Sequence, residues 1–204
     1  MDNYHYIIAG LPDLILNAEN KGFRYGEIRD GIYAQCSPAD RRLIDWLEFG
    51  DRERNLNVHF YRAALNRRDP FIRRYFNMDL QIRNAKVDYL SRSGGSGADA
   101  EKYKVLPAGA SEPEDADRQE LQAIFETADI LEKERMLDRY KWNKINEFTV
   151  FDYFNIDRIL AFLAKARLID RWDRLDKQTG RELFRKLVEE VRGTFKGVGP
   201  ARTE

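Results

Sequence analysis

Histidine and cysteine are nearly missing: His5, His59 and Cys36 are all that 204 residues supply. A single cysteine forbids an internal disulfide and fits a reducing compartment. Two histidines at this spacing match neither a zinc finger nor an H-E-x-x-H helix. Net charge is absent as well, 35 basic residues standing against 35 acidic ones, so no bulk field draws the chain toward nucleic acid or anionic lipid. No apolar run approaches the ~18 uncharged residues that span a bilayer. Met1 to Gly10 lacks the basic and long apolar regions of a signal peptide. These absences predict a cytoplasmic protein that reaches a membrane only through partners.

Motifs of chemistry are scarce too. There is no G-x-x-x-x-G-K-[ST] phosphate loop. Gly94-Gly95-Ser96-Gly97-Ala98 comes near a nucleophile elbow, but Ala98 replaces the last glycine and no strand-turn-helix pattern surrounds it. Carboxylate pairs such as Glu132 with Glu134 and Glu189 with Glu190 lie in densely charged helices, where solvation keeps them ionised. No catalytic, cofactor or metal site is expected, and the chain reads as a non-enzyme.

What is present is helix. Ser37-Pro38-Ala39-Asp40 is an N-cap with proline at the first helical position, and Leu43, Ile44 and Leu47 follow on one face. Gly50-Asp51 predicts a break or bend before a second run to about Asn66, with Leu56, Phe60 and Ala63/Ala64 inward. Asp69-Pro70 repeats the start signal. Phe71, Tyr75, Met78, Ile82, Ala85 and Tyr89 then form the cleanest stripe of the chain, widened by Ile72, Phe76, Leu80 and Val87. That helix is expected to pack against two others.

Glycines, prolines and acids from 91 to 117 predict a flexible acidic linker between an N-terminal helical part (1–90) and a C-terminal one (118–195). The C-terminal part should hold a helix from Arg118 to about Asn146, with Leu121, Ile124, Phe125, Ala128 and Leu131 inward. Turn and cap signals follow at Thr149 to Asn155, then a helix through Ile156, Ile159, Leu160, Leu163 and Ala166. A capping box at Thr179 to Glu182 opens a short last helix, and 196–204 is a disordered tail. The ambiguous alternation at Tyr4 to Ala9 is the longest β-like run. The fold class is all-α, a multi-helix bundle of long amphipathic helices.

Two clusters suit partner binding. Trp142, Phe148, Phe151, Tyr153, Phe154 and Phe162 crowd the stretch from 142 to 162 of a polar chain. They either pack into a core or face a neighbour, and Phe151 and Tyr153 are the foremost candidates for the second role. Arg62, Arg67, Arg68, Arg73 and Arg74 surround Asp69. Their forks suit phosphate or carboxylate, although no aromatic residues interleave with them as a nucleic-acid platform would need.

The pattern W-N-x-I-x-E-x-T-x-F-x-Y-F-x-I-x-R-I-L-A-F-L at Trp142 to Leu163, followed by I-D-R-W-x-x-L-D-K-x-T-G-x-E-L-F-R-K-L at Ile169 to Leu187, resembles an uncharacterised bacterial family encoded beside V/A-type ATPase genes. Tyr4 to Leu14 matches that family's N-terminus, with looser agreement at Ser37 to Leu43 and Tyr75 to Leu80. The family is similar to the C-type subunit of that ATPase, the d-type in eukaryotes, and this chain is shorter than a full C-type subunit. The resemblance implies a helical fold like that of the C-type subunit and a non-catalytic role between the central rotor shaft and the membrane rotor ring. The partners it implies are central-stalk and rotor-ring subunits, with the protein peripheral to the inner membrane. A free-standing cytoplasmic adaptor, or an anion or nucleic-acid binder acting through Arg62 to Arg74, is the alternative.

Overall fold

The computed structural model describes residues 4–16, 23–93 and 100–174. The glycine-rich segment at 94–98, the expected last helix with Glu189 and Glu190, and the tail at 196–204 lie outside the described residues. Among the described residues every regular element is helical: α1 (His5–Ala9), α2 (Tyr25–Gln35), α3 (Pro38–Gly50), α4 (Val58–Leu65), α5 (Pro70–Ser93), α6 (Asp115–Glu126), α7 (Ile130–Phe148) and α8 (Ile156–Asp173), with short 3-10 turns at Glu53–Asn55 and Ala100–Lys102.

Side-chain caps set the starts. Ser37 Oγ accepts the Asp40 amide, with Pro38 leading α3. Asn57, Asp129 and Asn155 likewise accept the amides of Phe60, Glu132 and Arg158 at the starts of α4, α7 and α8. Each such cap contributes about 1 kcal/mol. Asp69 opens α5 with its carbonyl, while its carboxylate takes Arg67 Nε at 3.0 Å.

Gly50 does mark the expected break, closing α3 before the second run. An added Cβ there would lie 2.2 Å from the buried ring of Phe76, so the contact between α3 and α5 needs a glycine. Further on, the single helix expected from Arg118 to Asn146 is two, because the Asp129 cap restarts the chain after Thr127. With the axis redirected, Leu131 is 51% exposed and Ala128 faces solvent. Ala63 is also outward, its neighbour Ala64 taking the core position on α4. Tyr4 to Ala9 is not a strand: α1 covers most of it.

α5 is the central element. It touches α3, α4, α6, α7 and α8, not two helices only. The reason is its width: Phe71, Ile72, Phe76 and Leu80 enter a large cluster with α3, α4 and α8, while Met78 and Ile82 enter a smaller one with Leu121, Ile124, Phe125 and Tyr140 of α6 and α7. Large buried apolar side chains of this kind contribute about 1.5–3 kcal/mol each.

A polar stripe on α5 holds the chain between α5 and α6. Asn84 donates to the Val105 carbonyl at 2.9 Å and accepts the Val105 amide at 3.0 Å. Asn77 accepts the Ser111 amide, Gln81 donates to the Ser111 carbonyl, and Asp88 takes Lys104 Nζ at 2.9 Å. Within this segment Gly109 has φ +91°, a backbone conformation that glycine adopts without a side-chain clash. Residues 100–114 thus lie along α5, within the stretch whose composition suggested a linker.

Candidate functional site

α7 and α8 form a hairpin whose tip spans 149–155. The Thr149 hydroxyl, buried, donates to the Ile145 carbonyl, and the Asp152 amide donates to the Thr149 carbonyl at 3.1 Å. Asn155 adds a side-chain bond to Asp152. These bonds fix a tight turn whose hydrophobic residues point away from the core: Phe151 is 87% exposed and Tyr153 66%, with Val150 and Phe154 also open.

The N-terminal segment is pinned against this tip. The Tyr4 amide donates to the Phe154 carbonyl at 2.8 Å, and the buried Tyr4 hydroxyl donates to Asp40 while accepting the Ser37 amide. That anchorage sets His5 4.7 Å from the ring of Phe154, and Tyr6, 91% exposed, 5.9 Å from His5. With Tyr153 at 6.4 Å from Phe154, four rings run in one chain across the surface: Tyr6, His5, Phe154 and Tyr153. Cys36 lies buried beneath Tyr4, and burial pushes its thiol up to about 11, so it stays protonated.

The other sequence candidates fall elsewhere. Trp142 and Phe148 are half-buried, Phe148 packed against both core clusters. The arginines differ in their partners. Arg67 pairs with Asp69 and lies 4.9 Å over Trp46, and Arg74 donates to the Phe148 carbonyl. Arg62, Arg68 and Arg73 are exposed and make no ion pair among the described residues. Sequence reasoning missed Tyr6, which only the Tyr4 anchor brings to the tip. It also missed Lys165, although one lysine inside Ile159 to Ala166 is a visible anomaly in an apolar run.

Two clefts adjoin this region. Between α5, α6 and α7 a space of about 400 Å³ carries Arg74 and Lys144 against four acids, and Lys144 is neutralised by Asp117 and Glu147 at 2.7 and 2.9 Å. Tyr140 lines it, and its buried hydroxyl has no hydrogen-bond partner among the described residues. The second, about 200 Å³, lies between the N-terminal segment and α7–α8, with Trp142 and Phe162 in its wall and Arg158 and Lys165 beside them. Burial first, then the nearby Arg158, pushes the Lys165 amine down to about 8.

Beneath both, α7 and α8 are locked by the motif Ile169-Asp170-Arg171-Trp172. Arg171 and the Trp172 indole N–H both donate to Asp138, which is 1% exposed, at 2.6 and 2.5 Å. Asp170 holds Arg174 at 3.0 Å, and Arg167 reaches Asp51 of the segment after α3 at 3.1 Å. Among the described residues no group of three His, Cys, Asp or Glu side chains is placed to hold a metal ion, and no helix is long and apolar enough to cross a membrane.

No curated protein and no solved structure matches the chain. Residues 114–194, which begin at the residue preceding α6 and take in the whole α7–α8 hairpin with its aromatic tip, match the model of a family described as "Protein of unknown function (DUF2764)".

Proposed function

We propose that this protein is a non-catalytic accessory component of a V/A-type rotary ATPase, joining the central shaft to the membrane rotor ring. The observation that carries the reading is the aromatic tip: Phe151 and Tyr153 stand open to solvent on a turn that hydrogen bonds hold in place, with Tyr6 of α1 exposed beside them. Rings presented on a rigid support bind a partner with little loss of side-chain freedom, and exposed aromatic groups of this kind mark interaction sites. The same segment carries the Trp142 to Leu163 pattern that resembles the ATPase-linked family, which supports assigning this surface to that machine. Torque transfer would need no chemistry from this chain, only rigid helices between two contacts.

The test is affinity purification of the tagged full chain from native membranes, with identification of the proteins that co-purify. Shaft and ring subunits should be recovered. Phe151→Ala and Tyr153→Ala should each weaken that association by about 1–3 kcal/mol, while thermal melts stay within about 0.5 kcal/mol of the parent because neither ring is buried. Unchanged recovery with both variants would remove the tip from the interface.

A second reading rests on Arg62, Arg68 and Arg73, three exposed cations without ion pairs among the described residues. As an anion or nucleic-acid binder the protein would bind RNA with an affinity that falls steeply with salt, and substituting these arginines would flatten that dependence. Absence of salt-dependent RNA binding would end this alternative.

A further inference from the structure

The cleft beside Trp142 contains two cations with no paired anion among the described residues. Lys165 is half-buried, its Nζ donating to Asn146 Oδ1 at 2.5 Å and lying 5.0 Å from the centroid of the Trp142 ring. Arg158, seven residues earlier on α8, lines the same cleft. Among the described residues no carboxylate lies within ion-pair distance of either cation, and Asp13, the one acid in the described lining, pairs with neither.

A lysine withdrawn from water beside an arginine is unfavourable unless something offsets the charge. An amide oxygen and a ring face supply part of that offset. The depressed amine, at about 8, shows how incomplete it is. What the two cations lack, among the described residues, is a carboxylate within ion-pair distance, Asp13 of the lining included. Apart from Asp13 and the two cations the cleft's walls are apolar, with Leu11, Leu14, Trp142 and Phe162 the largest side chains, so a bare hydrated ion would leave them unfilled. An anion with an apolar body satisfies both. The space of about 200 Å³ limits its size, since an apolar cavity of about 150 Å³ holds benzene.

We propose that this cleft binds a small monocarboxylate with a short aliphatic or single-ring body, the carboxylate held by Lys165 and Arg158 and the body resting on Trp142 and Phe162. The site is independent of the rotary-ATPase reading, because it uses neither the exposed tip nor a protein partner.

The experiment is a nuclear magnetic resonance titration of the full-length ¹⁵N-labelled protein with hexanoate, and in parallel with hexanol and inorganic phosphate, following the assigned Trp142 indole N–H. Hexanoate should give a saturable shift. Hexanol, which lacks the charge, and phosphate, which lacks the body, should each bind about tenfold more weakly or worse. Lys165→Met and Arg158→Gln should each weaken hexanoate by about tenfold or more while remaining folded by circular dichroism. Arg158 is exposed, so the second variant tests the site without touching the core. Equal binding of hexanol would reduce the cleft to an apolar dent, and equal binding of phosphate to a general anion site. Either result overturns the proposal, as does undiminished hexanoate binding in both variants, or the absence of any saturable shift.

Discussion

Single groups are held here in states that bulk water would not choose. Asp51 is paired with Arg167, yet burial outweighs that attraction and, with Glu48 and Asp79 adding repulsion, pushes its carboxyl up to about 6. Asp157 reaches about 6 by burial, with Asp152, Asp69 and Asp40 opposing ionisation and Arg74 favouring it. A carboxyl raised in the folded state keeps a proton that the unfolded chain has released. Its stabilising share is therefore present below the ordinary value of 3.8 and lost as pH rises through about 6. The asparagine variants of both residues should gain stability relative to the parent as pH is raised from about 4 to about 7, measured by urea unfolding. A gap independent of pH would refute the assignment. Lys165 runs the other way. Its folded value lies below the ordinary 10.5, so the parent is penalised most below about 8 and recovers as pH approaches 10.5. Lys165→Met should raise the melting temperature near neutrality, with an advantage that shrinks in alkali. At Gly50 the constraint is steric. Gly50→Ala forces its new methyl into Phe76 and should cost about 1–3 kcal/mol in thermal unfolding.

Between elements, polar locks decide what apolar packing leaves open. The α7–α8 hairpin is closed at its base by Arg171 and Trp172 on Asp138, where a carboxylate sits almost wholly out of water. Arg171→Met strands that charge and should cost about 3 kcal/mol. Arg171→Lys, which can still reach Asp138, should recover part of it, and chemical denaturation of the three proteins would separate the cases. The asparagines on α5 play a lighter role, each exchanging hydrogen bonds with one residue of the 100–114 segment. Asn84→Ala should cost about 1 kcal/mol and speed hydrogen exchange at the Val105 amide without altering α6. Exchange unchanged at Val105 would mean that the segment is held by other contacts.

At the scale of the molecule, one core is shared by residues far apart in sequence. Ile145, Ile159, Leu160 and Leu163 belong to the same cluster as Leu43, Tyr61 and Phe71. A protein cut once between α5 and α6 should therefore elute from size-exclusion chromatography as a single species and part only in denaturant. Two separately eluting helical pieces would show that each half completes a core alone. The same shared core places the aromatic tip at one end of the hairpin, with α1 strapped beside it through Tyr4.

Much of this architecture is legible in the residues themselves. Cap-plus-proline at Ser37-Pro38, the stripe from Phe71 to Tyr89 and the turn at Thr149 to Asn155 are local signals, because a helix start or an apolar face depends on residues within a turn or two. α2 is not legible in this way, since Gly26 and Gly31 interrupt its propensity and no side chain caps it. The α6–α7 break is also hidden, since Asp129 reads equally well as a surface acid or as a cap. Composition alone does not settle which rings face outward. Phe148 and Phe151 are three residues apart, yet one meets both cores and the other stands in solvent, because the turn bonds of Thr149 and Asp152 redirect the chain between them. The sequence by itself determined the all-helical class and most helix starts, which local backbone energetics control. Tertiary structure alone decided the chain of rings from Tyr6 to Tyr153, the cleft that Lys165 and Arg158 share with the N-terminal segment and the bond from Arg74 to the Phe148 carbonyl, since each depends on distant segments sharing one core.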